Sequence, residues 1–572
     1  MTGTFPLTAN QWGMLFLDQI LPSSPLYHVL WTCPVDGPLD VAALRTAIGA
    51  VAARQGALRT RFDLDGIAAG SAPRQLVDDH ARVDFAVADR DAAPADLSGL
   101  ADLVIAPAFD LPAGPLFRVR VLRCGPGRHR LVWNFHHLVF DGWSVGVFLG
   151  DLARSYADLV QGGSGELAPL PMSYGDYVTL QVEAMPQVVE RQLPYWRRQL
   201  ADLPEVAALP LDRPRPAAQS FRGAEHERPL SEALRREVVA AARRERVTPF
   251  IFTLTALTAQ LAAYRGGGDV VIGCPMGART HPAARRMIGY FVNMTVLRTD
   301  VPAGLSLSGA LGRVRDTVYD AIGHQEVPFD TVVSDLRPAR SLARNPMFQV
   351  LFSFEEADVA DVDLGGVRIG EVRGLPTYAA KFDLTVTVRY GPGDFTVILE
   401  YATDLFDAAT AVRMAEDYER VLRMLVAEPA ATVGDIQVGE RARMPRAAAA
   451  AAAGAAVSAV PYAAPRTRLE TRLLEIWSEV LDLEGLGIDD DFFALGGDSL
   501  SATRVIVRVR DHFAVDISVR AMFETPTVAG LAAHVSDELA AARAPGPAPA
   551  VTARRRVKLS ELVSNSRSEA RQ

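Results

Sequence analysis

The sequence predicts an α+β fold over roughly its first 440 residues, followed by a short all-α unit, and three observations carry that prediction. Residues 1 to about 440 mix helical and strand-like apolar patterns with no low-complexity interruption. Residues 444–465 are then abruptly alanine-rich, with Pro445, Pro461 and Pro465. Such a stretch reads as a linker, although its alanines are also compatible with a short helix. From 466 to about 540 the apolar positions recur at helical spacing, and 541–572 form a Pro/Ala-rich and then Arg-rich tail.

Composition bounds the function. A chain of 572 residues is too long for one core and implies two to four domains. It is 49% hydrophobic and 22% charged, which is ordinary globular usage. A net charge of -9 argues against a general nucleic-acid binder, whose footprint is basic. There is no apolar run of 18 residues and no leader pattern, so membrane partners are not expected and a cytoplasmic location is. Cys33, Cys124 and Cys274 are widely spaced, form neither a metal spacing nor a disulfide framework, and suit a reducing compartment.

Taken in order, Asp40 is an N-cap ahead of Val41, Leu44, Ile48 and Val51, which share one helical face. Leu58–Phe62, Arg118–Leu122 and Leu131–Phe140 are strand-like. A helix-rich stretch opens near Ser231 and runs through Phe250 to Tyr264, ahead of a strand-like Asp269–Gly273. The most informative segment runs from Leu131 to Ser144. There His136 and His137 end an apolar run, and Asp141 and Gly142 follow four and five residues after the second histidine. An uncharged imidazole at a strand end can accept a proton from an amine or alcohol during acyl transfer. A core histidine with a turn aspartate is the competing reading of His-x3-Asp alone.

That string resembles the HHxxxDG signature of condensation domains from nonribosomal peptide synthetases. The resemblance extends along the chain: Pro6–Trp12, Leu58–Phe62 (LRTRF), Tyr174–Tyr177 (YGDY), Ile272–Arg279, Ile288–Asn293, His324–Phe329, Arg344–Gln349 and Lys381–Leu384 follow in the family's order. It implies two chloramphenicol-acetyltransferase-like lobes with a channel between them, divided here at residues 1–175 and 176–443. By the same resemblance His137 is the catalytic histidine, deprotonating or positioning the acceptor as it attacks a thioester carbonyl. His136 is expected to support it, Asp141 to ion-pair with Arg279, and Gly142 to let backbone approach the reacting carbonyl. Trp143 and Asn293 are candidate channel residues, with a core role equally open for Trp143. No metal is implied. Gly142–Gly146 also satisfies G-x-S-x-G around Ser144, but no HGGG-type loop precedes it and paired histidines have no place in a hydrolase elbow.

Residues 466–540 resemble a peptidyl carrier protein, a small four-helix bundle. Leu469, Leu473, Trp477 and Val480 make an apolar stripe, Gly487–Phe493 a loop, and Gly496–Leu500 reads GGDSL. The resemblance makes Ser499 the attachment point of 4'-phosphopantetheine, added by a phosphopantetheinyl transferase. A serine at a helix start offers a phosphodiester free N–H groups, and Asp498 beside it is a natural cap. A GDSL esterase would need a much longer domain after this string than the 72 residues that follow.

Elongation modules of the family place an adenylation domain where this chain has only the linker. The expectation is therefore a trans-acting adenylation enzyme for loading and an upstream donor carrier protein for the acyl group. The basic tail, with Arg554–Arg556 and Lys558 ahead of Leu559–Val563, is a candidate docking segment for a downstream synthase, or a solubilising end. A cyclisation domain is excluded by the histidines, and an epimerisation domain by the carrier coming second. A non-catalytic scaffold and a free-standing transferase using coenzyme A are the alternatives from other classes.

Overall fold

The computed structural model describes residues 3–21, 24–64, 72–89, 97–204, 209–277, 279–338, 341, 343–356, 362–391, 393–438, 462–481, 483, 485–493, 495, 497, 499–515, 517 and 521–543. Residues 444–461 of the linker and the tail from 544 onward lie outside them.

The first lobe begins with β1 (Gly3–Phe5), α1 (Ala9–Ile20), β2 (His28–Asp36) and α2 (Val41–Arg54). Asp40 caps α2 by accepting from Ala42 and Ala43 N–H, and Leu44, Ile48 and Val51 are buried as the periodicity requires. There follow β3 (Thr60–Asp63), β4 (Arg74–Val77), β5 (Asp84–Asp89), α3 (Leu97–Ile105), β6 (Phe117–Gly125), β7 (Arg128–His136), α4 (Gly142–Val160) and α5 (Tyr174–Gln199). Strand β7 lies between β2 and β6, antiparallel to both. Its two faces are both covered: Leu131, Trp133 and Phe135 join the main core with α2 and α4, while Val132 joins a smaller core with Leu100, Ala101 and Val104 of α3. That double burial explains why the run from Leu131 is continuously apolar rather than alternating.

The second lobe comprises β8 (Gly223–Pro229), α6 (Glu232–Arg244), α7 (Pro249–Arg265), β9 (Gly267–Gly277), β10 (Val292–Pro302), α8 (Leu307–Gly323), α9 (Phe329–Leu336) and β11 (Val350–Glu356). After the short β12 (Val362–Asp363), β13 (Arg368–Ile369) and β14 (Arg373–Gly374), it closes with β15 (Leu384–Gly391), β16 (Asp394–Ala402) and α10 (Ala408–Ala427). Its sheet runs β10-β9-β11-β15-β16-β8, with β11 parallel to both neighbours. Helix α7 is buried from Ile251 to Ala262 and forms the centre of this core.

The lobes are interleaved rather than consecutive. Helix α5 gives Tyr174, Tyr177 and Val178 to the first core but Leu193 and Trp196 to the second. Ile288 and Phe291 return to the first core, and β13 and β14 of the later chain pair with β2.

Two element expectations need correction, and a third gains detail. Leu58–Phe62 is strand only from Thr60, because Gly56–Arg59 forms a 3-10 turn. The strand expected through Phe140 ends at His136, where His137–Val139 turn. The helix-rich stretch from Ser231 consists of two helices, parted where Arg246 takes φ 57° and Pro249 restarts the chain as a first-turn residue.

The carrier region contains α11 (Arg468–Leu481), α12 (Ser499–Phe513), the short α13 (Ala521–Glu524) and α14 (Val528–Arg543). Leu473, Trp477, Phe492, Val505, Ile506 and Val535 fill its core. Phe16 of α1 is buried in that same core, with Leu17 against its edge.

Gly273 on β9 belongs to one of the motifs, yet its role is packing. A Cβ there would meet the buried Phe348 ring at 2.1 Å. Gly273→Ala is expected to lower the unfolding free energy by about 1–3 kcal/mol in a denaturant titration, the usual range for overpacking a filled core.

Candidate active site and carrier attachment site

Strand β7 delivers the two histidines to opposite surroundings. His136, the last residue of the strand, is fully buried. Its Nδ1 accepts from Leu138 N–H at 3.2 Å, so Nε2 carries the proton and points toward Asp18 of α1, 3.6 Å away. Its ring meets Phe109 at 5.9 Å, beside His28, whose Nδ1 accepts from Asn134 Nδ2 at 2.9 Å. Burial, followed by His136 and Arg118, lowers the His28 pKa to about 3. The surroundings of His136 are those of a supporting residue.

His137 begins the turn. Its Nδ1–H donates to the Phe140 carbonyl at 2.7 Å, which fixes the tautomer and leaves the Nε2 lone pair free. The ring stands edge-on to Tyr290 at 5.2 Å. His137 is half-buried. Burial first, and Lys381 second, lower its pKa to about 3, against a rise from the Phe140 hydrogen bond. The ring is therefore uncharged at neutral pH.

Asp141 turns the chain from this site into α4. One of its oxygens accepts from Ser144 N–H (2.9 Å), Ser144 Oγ (2.7 Å) and Arg279 (2.7 Å), the other from Arg279 (3.0 Å) and Phe291 N–H (3.2 Å). Arg279 also donates to the Ala284 and Met287 carbonyls, and its guanidinium lies 3.8 Å from the Phe291 ring centroid. The two side chains are 2% and 6% exposed. The pair thus joins the motif turn to the 279–291 segment of the chain.

Other expected residues are placed differently. A Cβ on Gly142 would meet nothing within 4 Å, so that side of the helix start is open space. Trp143 is 59% exposed, which removes the core alternative; its indole N–H donates to the Arg285 carbonyl at 3.2 Å. Asn293 is committed to the fold. It is buried, with its amide donating to Gln325 and Val327 carbonyls and accepting from Phe329 N–H, so every polar atom is spent holding the 325–329 loop. Ser144 of the G-x-S-x-G string is fully buried and committed to Asp141, which disqualifies it as an accessible nucleophile.

Sequence reasoning assigns no role to Tyr27, Tyr290, Lys381 or Asp18. Tyr290 and Lys381 stand within two of the ordered motifs; nothing in the pattern marks Tyr27 or Asp18.

In the carrier, Ser499 is the first residue of α12, and Asp498 lies outside the described residues. The preceding loop is tied down: Gly497 N–H donates to the Phe492 carbonyl at 2.9 Å, and a Cβ on Gly497 would collide with the Phe492 ring. Gly497 thus anchors the chain two residues before α12 begins.

Arg279→Ala is expected to cost about 3–5 kcal/mol of stability, because it strands the buried Asp141 carboxylate. Arg279→Lys should recover only part, since it lacks the planar fork. Chemical unfolding of the three proteins decides it; a loss below about 1 kcal/mol for the alanine variant would show that the pair does not clamp the turn.

Comparison with known proteins identifies both regions of the chain. The Condensation domain family model matches residues 1–444, and the Phosphopantetheine attachment site model matches residues 471–535. One of the linear gramicidin synthase proteins of Brevibacillus parabrevis is 36% identical over 442 residues, covering 76% of this chain and 6% of that protein. Phosphinothricin tripeptide synthetase PhsC of Streptomyces viridochromogenes is 34% identical over 437 residues, 75% of this chain and 40% of that protein. The chain thus spans only a part of these relatives' lengths. Among solved structures, the X-domain from teicoplanin biosynthesis is similar with a TM-score of 0.66 and 29% identity, over 76% of this chain and 97% of that one. A four-domain nonribosomal peptide synthetase bound to AMP and glycine matches with a TM-score of 0.68 over 86% of this chain and 37% of that one; its 22% identity shows the shared fold alone. Among the described residues no single helix is long and apolar enough to cross a membrane. The chain belongs to the condensation-domain family, the amide-bond-forming acyltransferases of nonribosomal peptide synthesis, and joins to that domain a carrier of the kind that bears phosphopantetheine on a serine.

Proposed function

We propose that this protein condenses a carrier-bound acyl donor with an acceptor amine held on its own carrier, with Ser499 as the attachment residue and His137 as the catalytic one. The observation that carries the reading is the position of α1. Its Phe16 enters the carrier core with Leu17 packed against it, while Gln11 on the same helix donates to the Leu138 carbonyl at 3.1 Å and Asp18 faces His136. One helix of 12 residues, about 18 Å long, therefore touches both the carrier and the histidine turn. This shared helix favours the acceptor role for the carrier.

When attached, phosphopantetheine supplies a flexible arm with a terminal thiol. The chain's own residues do the rest. His137 Nε2, uncharged and free, accepts a hydrogen bond from the incoming amine, so that the amine's own lone pair faces the donor carbonyl. So low a proton affinity makes it a poor base toward the free amine. It takes the proton once the new C–N bond has placed positive charge on that nitrogen, and returns it to the departing thiolate. Asp141 and Arg279 hold the turn but touch no reacting atom.

The condensation match ends at residue 444 and the carrier match begins at 471, a join too short to hold an adenylating enzyme. That spacing supports loading by a separate adenylating enzyme, with a phosphopantetheinyl transferase and a donor carrier protein as the other partners. Docking of a downstream synthase through the basic residues 551–572 belongs to the same reading.

Intact-protein mass spectrometry tests it. Ser499 is loaded with an aminoacyl-pantetheine from a coenzyme A analogue, and an acyl-loaded donor carrier is added. The mass should rise by the acyl group. Ser499→Ala should not load at all; His137→Ala should load normally yet condense about 100-fold or more slowly. Phe16→Asp should load normally but condense slowly, because it breaks the carrier contact. Normal loading with no condensation by the wild type would sink the catalytic reading in favour of a scaffold.

A further inference from the structure

Two glutamines meet inside the first lobe, against the histidine turn, and the chemistry proposed above gives neither a role. Gln11 on α1 is 0% exposed and Gln75 on β4 is 1% exposed, so neither amide can fall back on water. The amides pair head to tail: Gln11 Nε2 donates to Gln75 Oε1 at 3.2 Å, and Gln75 Nε2 donates to Gln11 Oε1 at 3.1 Å. Backbone fixes the outer half of each. Gln75 Nε2 also donates to the Pro6 carbonyl at 2.7 Å, and Gln11 Oε1 also accepts from Thr8 N–H at 3.0 Å. A carbonyl can only accept and an N–H can only donate, so neither amide can be turned over. Gln75 is itself strand-bound, in register with Phe5 of β1 on one side and Phe62 of β3 on the other. One Gln11 N–H is left, and it donates to the Leu138 carbonyl at 3.1 Å.

That bond lands on the residue next to His137. His137–Val139 is a single 3-10 turn, closed by a long bond of 3.3 Å from Phe140 N–H to the His137 carbonyl. Such turns have poor hydrogen-bond geometry and hold their shape weakly by themselves. Here the peptide groups on both sides of the Leu138 Cα are held: its N–H donates to His136 Nδ1, and its carbonyl accepts from Gln11. With both peptide planes fixed, the φ and ψ of Leu138 are set, and the 2.7 Å reach from His137 Nδ1 to the Phe140 carbonyl is kept. Without Gln11, the buried Leu138 carbonyl would lose this partner and the turn would be free to shift. We infer that Gln11, braced by Gln75, is a positioning residue: it holds the Leu138 carbonyl so that His137 keeps Nδ1 protonated and Nε2 bare for the acceptor. Gln11 touches no reacting atom. Its helix also carries Phe16, so the brace and the carrier contact share one element.

This inference rests on His137 being the active histidine, but its first readout needs no turnover. The full chain is labelled with 15N-histidine and studied at neutral pH, the His137 ring signals being assigned by their loss in His137→Ala. Wild type should show one tautomer, with Nδ1 protonated and Nε2 bare. Gln11→Met keeps the side-chain length but loses the donor, and both tautomers should appear in it. Thr8→Val removes the hydroxyl that caps α1 yet leaves the Gln11 amide in place, so its His137 signals should match wild type. Where Gln11→Met does not fold, Gln75→Met replaces it, because it unbraces the same amide and should disturb the same ring. In condensation assays Gln11→Met should lower kcat about 10-fold or more with an unchanged KM for the donor carrier, the split expected of a misplaced reacting group. Both tautomers in wild type, or a single wild-type tautomer in folded Gln11→Met, would overturn the proposal whatever the rates show. So would an equal disturbance by Thr8→Val, which would make the effect one of helix capping. A ring disturbed only in the glutamine variants, with no condensation by wild type, would uphold the brace and reject the proposed reaction instead.

Discussion

The buried contact between Asp141 and Arg279 is the constraint on which the site depends. A carboxylate taken out of water is costly unless its lone pairs are filled. Asp141 fills its own with the Ser144 backbone and hydroxyl, the Phe291 backbone and the Arg279 guanidinium. Those partners come from both sides of a 138-residue gap in sequence. Satisfying one carboxylate therefore fixes the end of β7, the start of α4 and the return of the chain ahead of β10. The direction of the His137 ring follows, because its Nδ1 is bonded within that same turn.

Around this clamp the two histidines are separated by chemistry as well as by direction. His136 is spent on the backbone of Leu138 and on α1, whereas His137 has one nitrogen anchored and one idle. Enclosure makes the idle nitrogen a hydrogen-bond acceptor more than a base, so geometry rather than proton affinity must supply most of its effect. A carrier that leans on α1 brings its attachment helix to this geometry from outside, with Phe16 as the shared residue of two cores.

Much of this is legible in the chain. The ordered motifs around His137 and Asp141 imply the fold, and the resemblance itself supplies Arg279 as the partner of Asp141. The linker is plain from composition, and the carrier from the resemblance carried by the GGDSL string and the helical pattern around it. What the sequence hides is set by tertiary contacts. Asn293 lies one residue into a strand, and nothing local shows that its amide is consumed by residues 325–329. Trp143 cannot be placed from the pattern, since a large apolar side chain at a helix start is compatible with core or surface. Tyr27 and Lys381 are 354 residues apart, and only the crossing of the lobes brings them together. The strand end at His136 is invisible because the apolar run continues through a turn that is itself buried.

The short strands β13 and β14 have an evolutionary consequence. They belong to the later chain but cover the outer side of β2, which would otherwise be an open sheet edge. Uncovered edges invite pairing with other chains. With α5 also dividing its residues between two cores, a recombination crossover anywhere between the lobes would expose that edge and cut a shared helix. In this chain a crossover between the lobes would have to rebuild both shared contacts, whereas one at the alanine-rich join would have to rebuild only the contact of Phe16 with the carrier.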